Sequence, residues 1–323
     1  MTASRLRGGE APLMAEAGQA ASLPGGAARA AVPDWRRAPE RGSPALLRLM
    51  LALTRALGWR AGAALLHPIS AYFLLSSPRP RAASRRFLGR ALGRPARWGD
   101  LYRLYHAFSA TILDRVWLAS GQTRDFSIEV RGLEALRARL AEGRGCLLIG
   151  AHLGSFEAMR AVADAGCPVP LSILMHEDNA ARVKAFFDAL GGEARAAAII
   201  PLGRPDAMLR VREALARGEL VGLLADRAPH DDKLVRVPFL GRPAPLPTGP
   251  HVLAALLRAP VMLAFGLRRG PRRYEVRFEP FATPARADVA ASVAAYAARL
   301  EALCREAPEN WFNFHDFWRE DAS

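Results

Sequence analysis

Cys146–Ala151 (CLLIGA) is an unbroken apolar run that ends at His152. A segment so short and apolar has no face to offer water, so it predicts a strand buried on both sides, as in parallel sheets covered by helices. The flanking sequence agrees. From Asp125 onward, apolar segments at Phe126–Val130, Val169–Met175, Ala198–Ile200, Leu220–Leu224 and Val261–Leu267 alternate with helical patterns. Those helices are expected at Leu133–Glu142, Ser155–Ala165, Asn179–Leu190, Asp206–Arg217 and Thr248–Leu257. Such alternation is the pattern of βαβ units. Arg273–Phe278 reads as an edge strand and Asp288–Arg305 as a closing helix. The expected class is α/β, a mostly parallel central sheet flanked by helices, with an N-terminal helical membrane-associating region in front of it.

That front region begins with an amphipathic stretch, Pro44–Leu57. Leu46, Leu49, Met50, Leu53 and Leu57 fall at helical spacing, and Arg48 and Arg55 lie off the stripe. Ala61–Pro78 then runs 18 residues without a charge, the lower limit for a membrane span, although His67-Pro68 and three serines interrupt it. It reads as a buried core helix, an anchor lying in the membrane interface, or a span. Arg79, Arg81, Arg85, Arg86, Arg90, Arg94 and Arg97 follow with no acidic residue before Asp100. A basic cluster beside an apolar segment gains roughly 1 kcal/mol per arginine near anionic lipid. Residues 1–43 are expected to be a disordered leader, 44–120 the helical membrane-associating region and 121–323 the α/β domain.

The net charge of +14 suits anionic headgroups, acidic carrier proteins or nucleic acid. No zinc finger or aromatic RNA-binding signature accompanies it, so nucleic acid is not expected as a partner. Cys146, Cys167 and Cys304 form no Cys-x-x-Cys pair, and His230-Asp231-Asp232 reads as a surface turn, so neither a metal nor a cofactor is expected.

Chemistry concentrates in Gly150-Ala151-His152-Leu153-Gly154-Ser155-Phe156-Glu157. His152 follows a buried strand, where ligands of open α/β sheets bind, and Glu157 lies on the first turn of the next helix. The carboxylate could fix one imidazole nitrogen and leave the other as a general base. His315 and Glu320 share this spacing, but His315 sits in an aromatic tail, Asn310–Trp318, expected to pack on the core or to face lipid. Ser155 lacks a Gly-x-Ser-x-Gly elbow and is not expected to be a nucleophile.

HLGSFE, LLADRAP (Leu223–Pro229), VPFLGRPAPLPTG (Val237–Gly249) and APVMLAF (Ala259–Phe265) together resemble the lysophospholipid acyltransferase superfamily, in its lipid A biosynthesis branch. The likeness covers roughly Trp35–Trp318. It implies transfer of a fatty acyl group from an acyl carrier protein or coenzyme A thioester to a hydroxyl of a membrane glyco- or phospholipid. It also implies His152 as base, Glu157 as its partner, and a peripheral or monotopic place on the cytoplasmic face of the inner membrane. Arg195 is similar to a substrate-contacting arginine of the family. Asp226 and Arg227, past a buried strand, are candidates for a phosphate or phosphopantetheine contact, or form a structural pair. Thr248 and Gly249 open a helix, as a plain cap or as an anion site. The tail and the LYHAFSATILDR helix are more similar to a sub-branch found beside aryl polyene genes, which leaves the acceptor open.

Overall fold

The structure, a computed structural model, describes residues 44–119, 121–166, 169–176, 198–227 and 233–318. The leader, the helix expected at Asn179–Leu190, Arg195 and His230-Asp231-Asp232 lie outside the described residues. Seven strands form the central sheet: β1 (Ser127–Arg131), β2 (Cys146–Gly150), β3 (Leu171–His176), β4 (Ala198–Leu202), β5 (Leu220–Leu224), β8 (Val261–Gly270) and β9 (Arg273–Phe281). Their order is β1-β9-β8-β2-β5-β3-β4. Every neighbouring pair is parallel except the antiparallel β8–β9.

Arg273–Phe281 is therefore an interior strand, a correction to the expected edge. β1 covers its flank, pairing from Ser127↔Arg273 to Arg131↔Arg277. The edge falls to a strand of alternating exposure that carries Glu129 and Arg131, charges that discourage further pairing.

β2 is buried along its whole length because helices cover both faces of the sheet. Leu147 and Ile149 join a core with Tyr296, Leu300 and Leu303 from α8 (Val289–Glu306) and Phe87 and Leu88 from α2 (Pro78–Leu92). Cys146 and Leu148 face the opposite cluster, with Leu136 of α4 (Leu133–Ala141) and Ala158, Met159 and Val162 of α5 (Phe156–Gly166). The period-two alternation of a strand divides these side chains between the two layers. Helices α6 (Ala207–Ala216) and α7 (Gly249–Leu257) complete the cover.

β6 (Leu234–Phe239) and β7 (Arg242–Pro247) form a separate antiparallel hairpin. Leu240 and Gly241 at its turn both have positive φ, 51° and 79°, the geometry of a tight two-residue hairpin. The prolines of VPFLGRPAPLP hide this hairpin from a sequence reading, because Pro is rare in strands that must donate on both sides.

Ahead of the sheet, α1 spans Pro44–Ser76 as two helical segments that meet at a kink at Gly58 (φ 81°, ψ 169°), the second continuous through Pro68. No helix of the described residues is long and apolar enough to cross a membrane. Leu66 of α1 packs against Ala110 and Leu113 of α3 (Trp98–Ala119). Asp114 then ties both to the sheet, accepting from Trp59 Nε1 and from the Tyr274 hydroxyl of β9, each at 2.8 Å.

Candidate active site

β2 and β5 lie side by side, parallel, with Gly150 opposite Leu224. Two residues past each strand end stand His152 and Asp226, so the shared register brings them abreast. His152 Nδ1 lies 2.8 Å from Asp226 Oδ1, and its backbone N–H donates to Oδ2 at 3.1 Å. Trp311 Nε1 adds a third donor to Oδ2 at 3.0 Å. The Asp226 side chain is fully buried, whereas that of His152 is 37% exposed. An uncompensated buried carboxylate costs several kcal/mol, and these donors offset that cost. Burial alone would raise the pKa of Asp226; the His152 imidazole, Arg227 and the Trp311 indole outweigh it and hold the carboxyl well below its usual range. An ionised carboxylate only accepts, so the neutral imidazole carries its proton on Nδ1 and its lone pair on Nε2. Among the described residues none hydrogen-bonds to Nε2.

The turn after His152 is shaped by two glycines. Gly154 has φ +75°, and a Cβ there would lie 1.9 Å from the carbonyl oxygen of Gly266 on β8; one at Gly266 would meet the Ser155 carbonyl oxygen at 2.2 Å. This close approach lets Ser155 N–H donate to Gly266 O at 2.7 Å. Ser155 Oγ in turn accepts from Ala158 N–H at 3.1 Å and so caps α5.

Glu157 is not the carboxylate on the imidazole. Its Oε1 accepts from Arg115 Nε of α3 at 2.5 Å, with the Glu157 side chain 7% exposed. The expected His152–Glu157 pairing gives way because the turn is pinned to β8, which presents the first turn of α5 to α3 while β5 brings Asp226 to Nδ1.

The family profile described as bacterial lipid A biosynthesis acyltransferase matches residues 106–320. The chain belongs to that family. It is accordingly an acyltransferase that acts on lipid. No curated protein matches the chain.

In this lipid A acyltransferase family member, Arg227 forms no ion pair with Asp226 among the described residues. Its Nη2 donates to Phe312 O at 2.5 Å, and its Nε is buried without a partner among the described residues. Thr248 stands before α7 but makes no side-chain cap; its hydroxyl donates to Lys233 O at 2.9 Å. Among the described residues neither Thr248 nor Gly249 bonds to His152 or Asp226. The resemblance to the family gave the tail no role in the site. Phe312 N–H donates to His152 O and Gly154 N–H to Asn310 O, both at 2.9 Å. His315 also lies within electrostatic reach of His152, Asp226 and Arg227; burial, then Arg227, pushes its imidazole down to about 3, so it is neutral at ordinary pH. The signal available in sequence was the density of aromatic and amide residues in NWFNFHDFW, which core packing alone also explains.

Proposed function

We propose that this protein transfers a fatty acyl group from an acyl carrier protein or coenzyme A thioester to a hydroxyl of a membrane glyco- or phospholipid, with His152 as general base. The reading is carried by one observation: an imidazole fixed at Nδ1 by a buried carboxylate, with Nε2 unengaged among the described residues at the carboxyl edge of a parallel sheet. Nε2 takes the acceptor hydroxyl proton as that oxygen attacks the thioester carbonyl carbon. The tetrahedral oxyanion collapses, the C–S bond breaks, and the imidazolium returns the proton to the departing thiolate. The products are an ester and a free thiol, with no acyl-enzyme. The Nε–H of Arg227, without a partner among the described residues, supports its reading as a contact to a phosphate of the substrates.

His152→Ala is expected to lower the transfer rate by at least about a thousandfold with an unchanged circular dichroism spectrum. Wild-type rates in that variant would refute the mechanism.

The reading places the enzyme on the cytoplasmic face of the inner membrane. Support comes from the segments around α2: Tyr72 and Leu75 at the end of α1 and Trp98 at the start of α3 are exposed, as are Arg79 and Arg85 of α2. Arg81 and Arg85 stack over the Trp98 ring at 5.6 and 5.3 Å, an apolar and cationic mixture suited to anionic lipid. Replacing Arg79, Arg85 and Arg97 together with serine is expected to weaken flotation with phosphatidylglycerol vesicles roughly a hundredfold. Equal flotation with uncharged vesicles by the unaltered protein would contradict this placement.

A further inference from the structure

Three aromatic rings hold Trp311 edge-on: Phe87 of α2 at 4.8 Å, Phe239 of β6 at 5.3 Å and Phe317 of the tail at 5.0 Å between centroids. The indole is fully buried, so packing restricts the direction of its N–H. That N–H points at Asp226 Oδ2. The residues on either side hold the loop itself: Asn310 O accepts from Gly154 N–H, Phe312 N–H donates to His152 O, and Leu153 forms an isolated antiparallel bridge with Trp311. Asn310 is anchored in turn to β8, its side chain bonding both the N–H and the carbonyl of Arg268.

A core tryptophan needs some acceptor for its N–H, and a structural role would be met by any carbonyl. Here the acceptor is the oxygen that also receives the His152 backbone N–H. We propose that the tail is a working part of the catalytic centre, with Trp311 as the positioning residue that holds the Asp226 carboxylate in the orientation from which it grips both the backbone and the imidazole of His152. This rests on the reading of His152 as general base.

Among the described residues the charged and titratable groups around the imidazole are Asp226 and Arg227 past β5 and His315 in the tail. On the far side of Asp226, α8 contributes Tyr296 and Cys304, both held protonated by burial. Loss of the indole donor leaves the carboxylate more basic, so it retains the imidazolium more strongly. The catalytically competent neutral form then requires higher pH.

The test replaces Trp311 with 3-benzothienylalanine, which keeps the bicyclic shape and puts sulfur in place of N–H. Alongside it go Trp311→Phe, Phe317→Leu as a packing control, and His152→Ala. For the benzothienyl variant the expected result is an unchanged melting temperature, kcat lower by about tenfold, unchanged KM for the acyl donor, and an acid limb of kcat/KM moved to higher pH. Trp311→Phe is expected to move the limb the same way with an added loss of melting temperature. Phe317→Leu is expected to lower the melting temperature and leave the limb in place. A benzothienyl variant with wild-type kcat and an unmoved limb, beside an inactive His152→Ala, would overturn the role of Trp311 alone. An active His152→Ala would overturn the general base and this inference with it.

Discussion

His152 and Asp226 are 74 positions apart in the chain, yet each is the second residue past its strand. The residues between them and the strand ends are small or apolar, so the two polar side chains emerge together at the first point where the sheet stops burying them. Ser155, which shares this loop, spends its hydroxyl on the N–H of Ala158 and is 1% exposed. It is a helix cap, with neither the access nor the base that a nucleophile needs. The glycine pair at 154 and 266 serves the same end as the hydrogen bonds, because the backbone contact between them fixes the distance from β8 to the turn after His152. Strand and turn are visible in CLLIGA and HLGSFE as local chemistry. Asp226 was visible only as a polar residue after a strand, since nothing local says which strand will lie beside β2.

At the scale of elements, α8 closes the molecule and carries its own test. Glu306 at its last turn accepts from Arg277 Nη1 of β9 at 2.8 Å and also from Arg269 of β8. Arg277 is the largest cause, working against burial and with Arg269, of a Glu306 carboxyl brought down to about 2. A depressed carboxyl contributes stability that is complete above its unfolded value near 4.5 and is lost as the pH falls toward 2. The Glu306 side chain is 38% exposed, so solvent screening keeps the contribution near or below about 1 kcal/mol. Wild type is therefore expected to melt higher than Glu306→Gln at pH 6, with a gap that closes between pH 4.5 and 2. A gap that stays constant over this window would exclude the pairing. The element pattern itself was largely legible: β2, β5, β8, α5 and α8 follow from apolar runs and period alone. The β6–β7 hairpin and the interior place of β9 were not, because proline masks the first and pairing with β1 decides the second.

For the whole molecule, the decisive fact is the strand order. Placing β5, and not the sequence neighbour β3, next to β2 supplies a carboxylate from one crossover while Glu157 of another turns to Arg115. The tail then returns across the site and adds Trp311. A linear motif cannot carry this arrangement, since three segments far apart in sequence meet only when the sheet is assembled. Asp226 as the residue that orients the base is the central claim, and kcat for acyl transfer in Asp226→Asn and Glu157→Gln tests it directly. An amide at 226 keeps the shape but favours the wrong tautomer, so kcat is expected to fall by about a thousandfold or more with little change in KM, while Glu157→Gln loses less than about tenfold. A loss in Glu157→Gln equal to or greater than that in Asp226→Asn would contradict it.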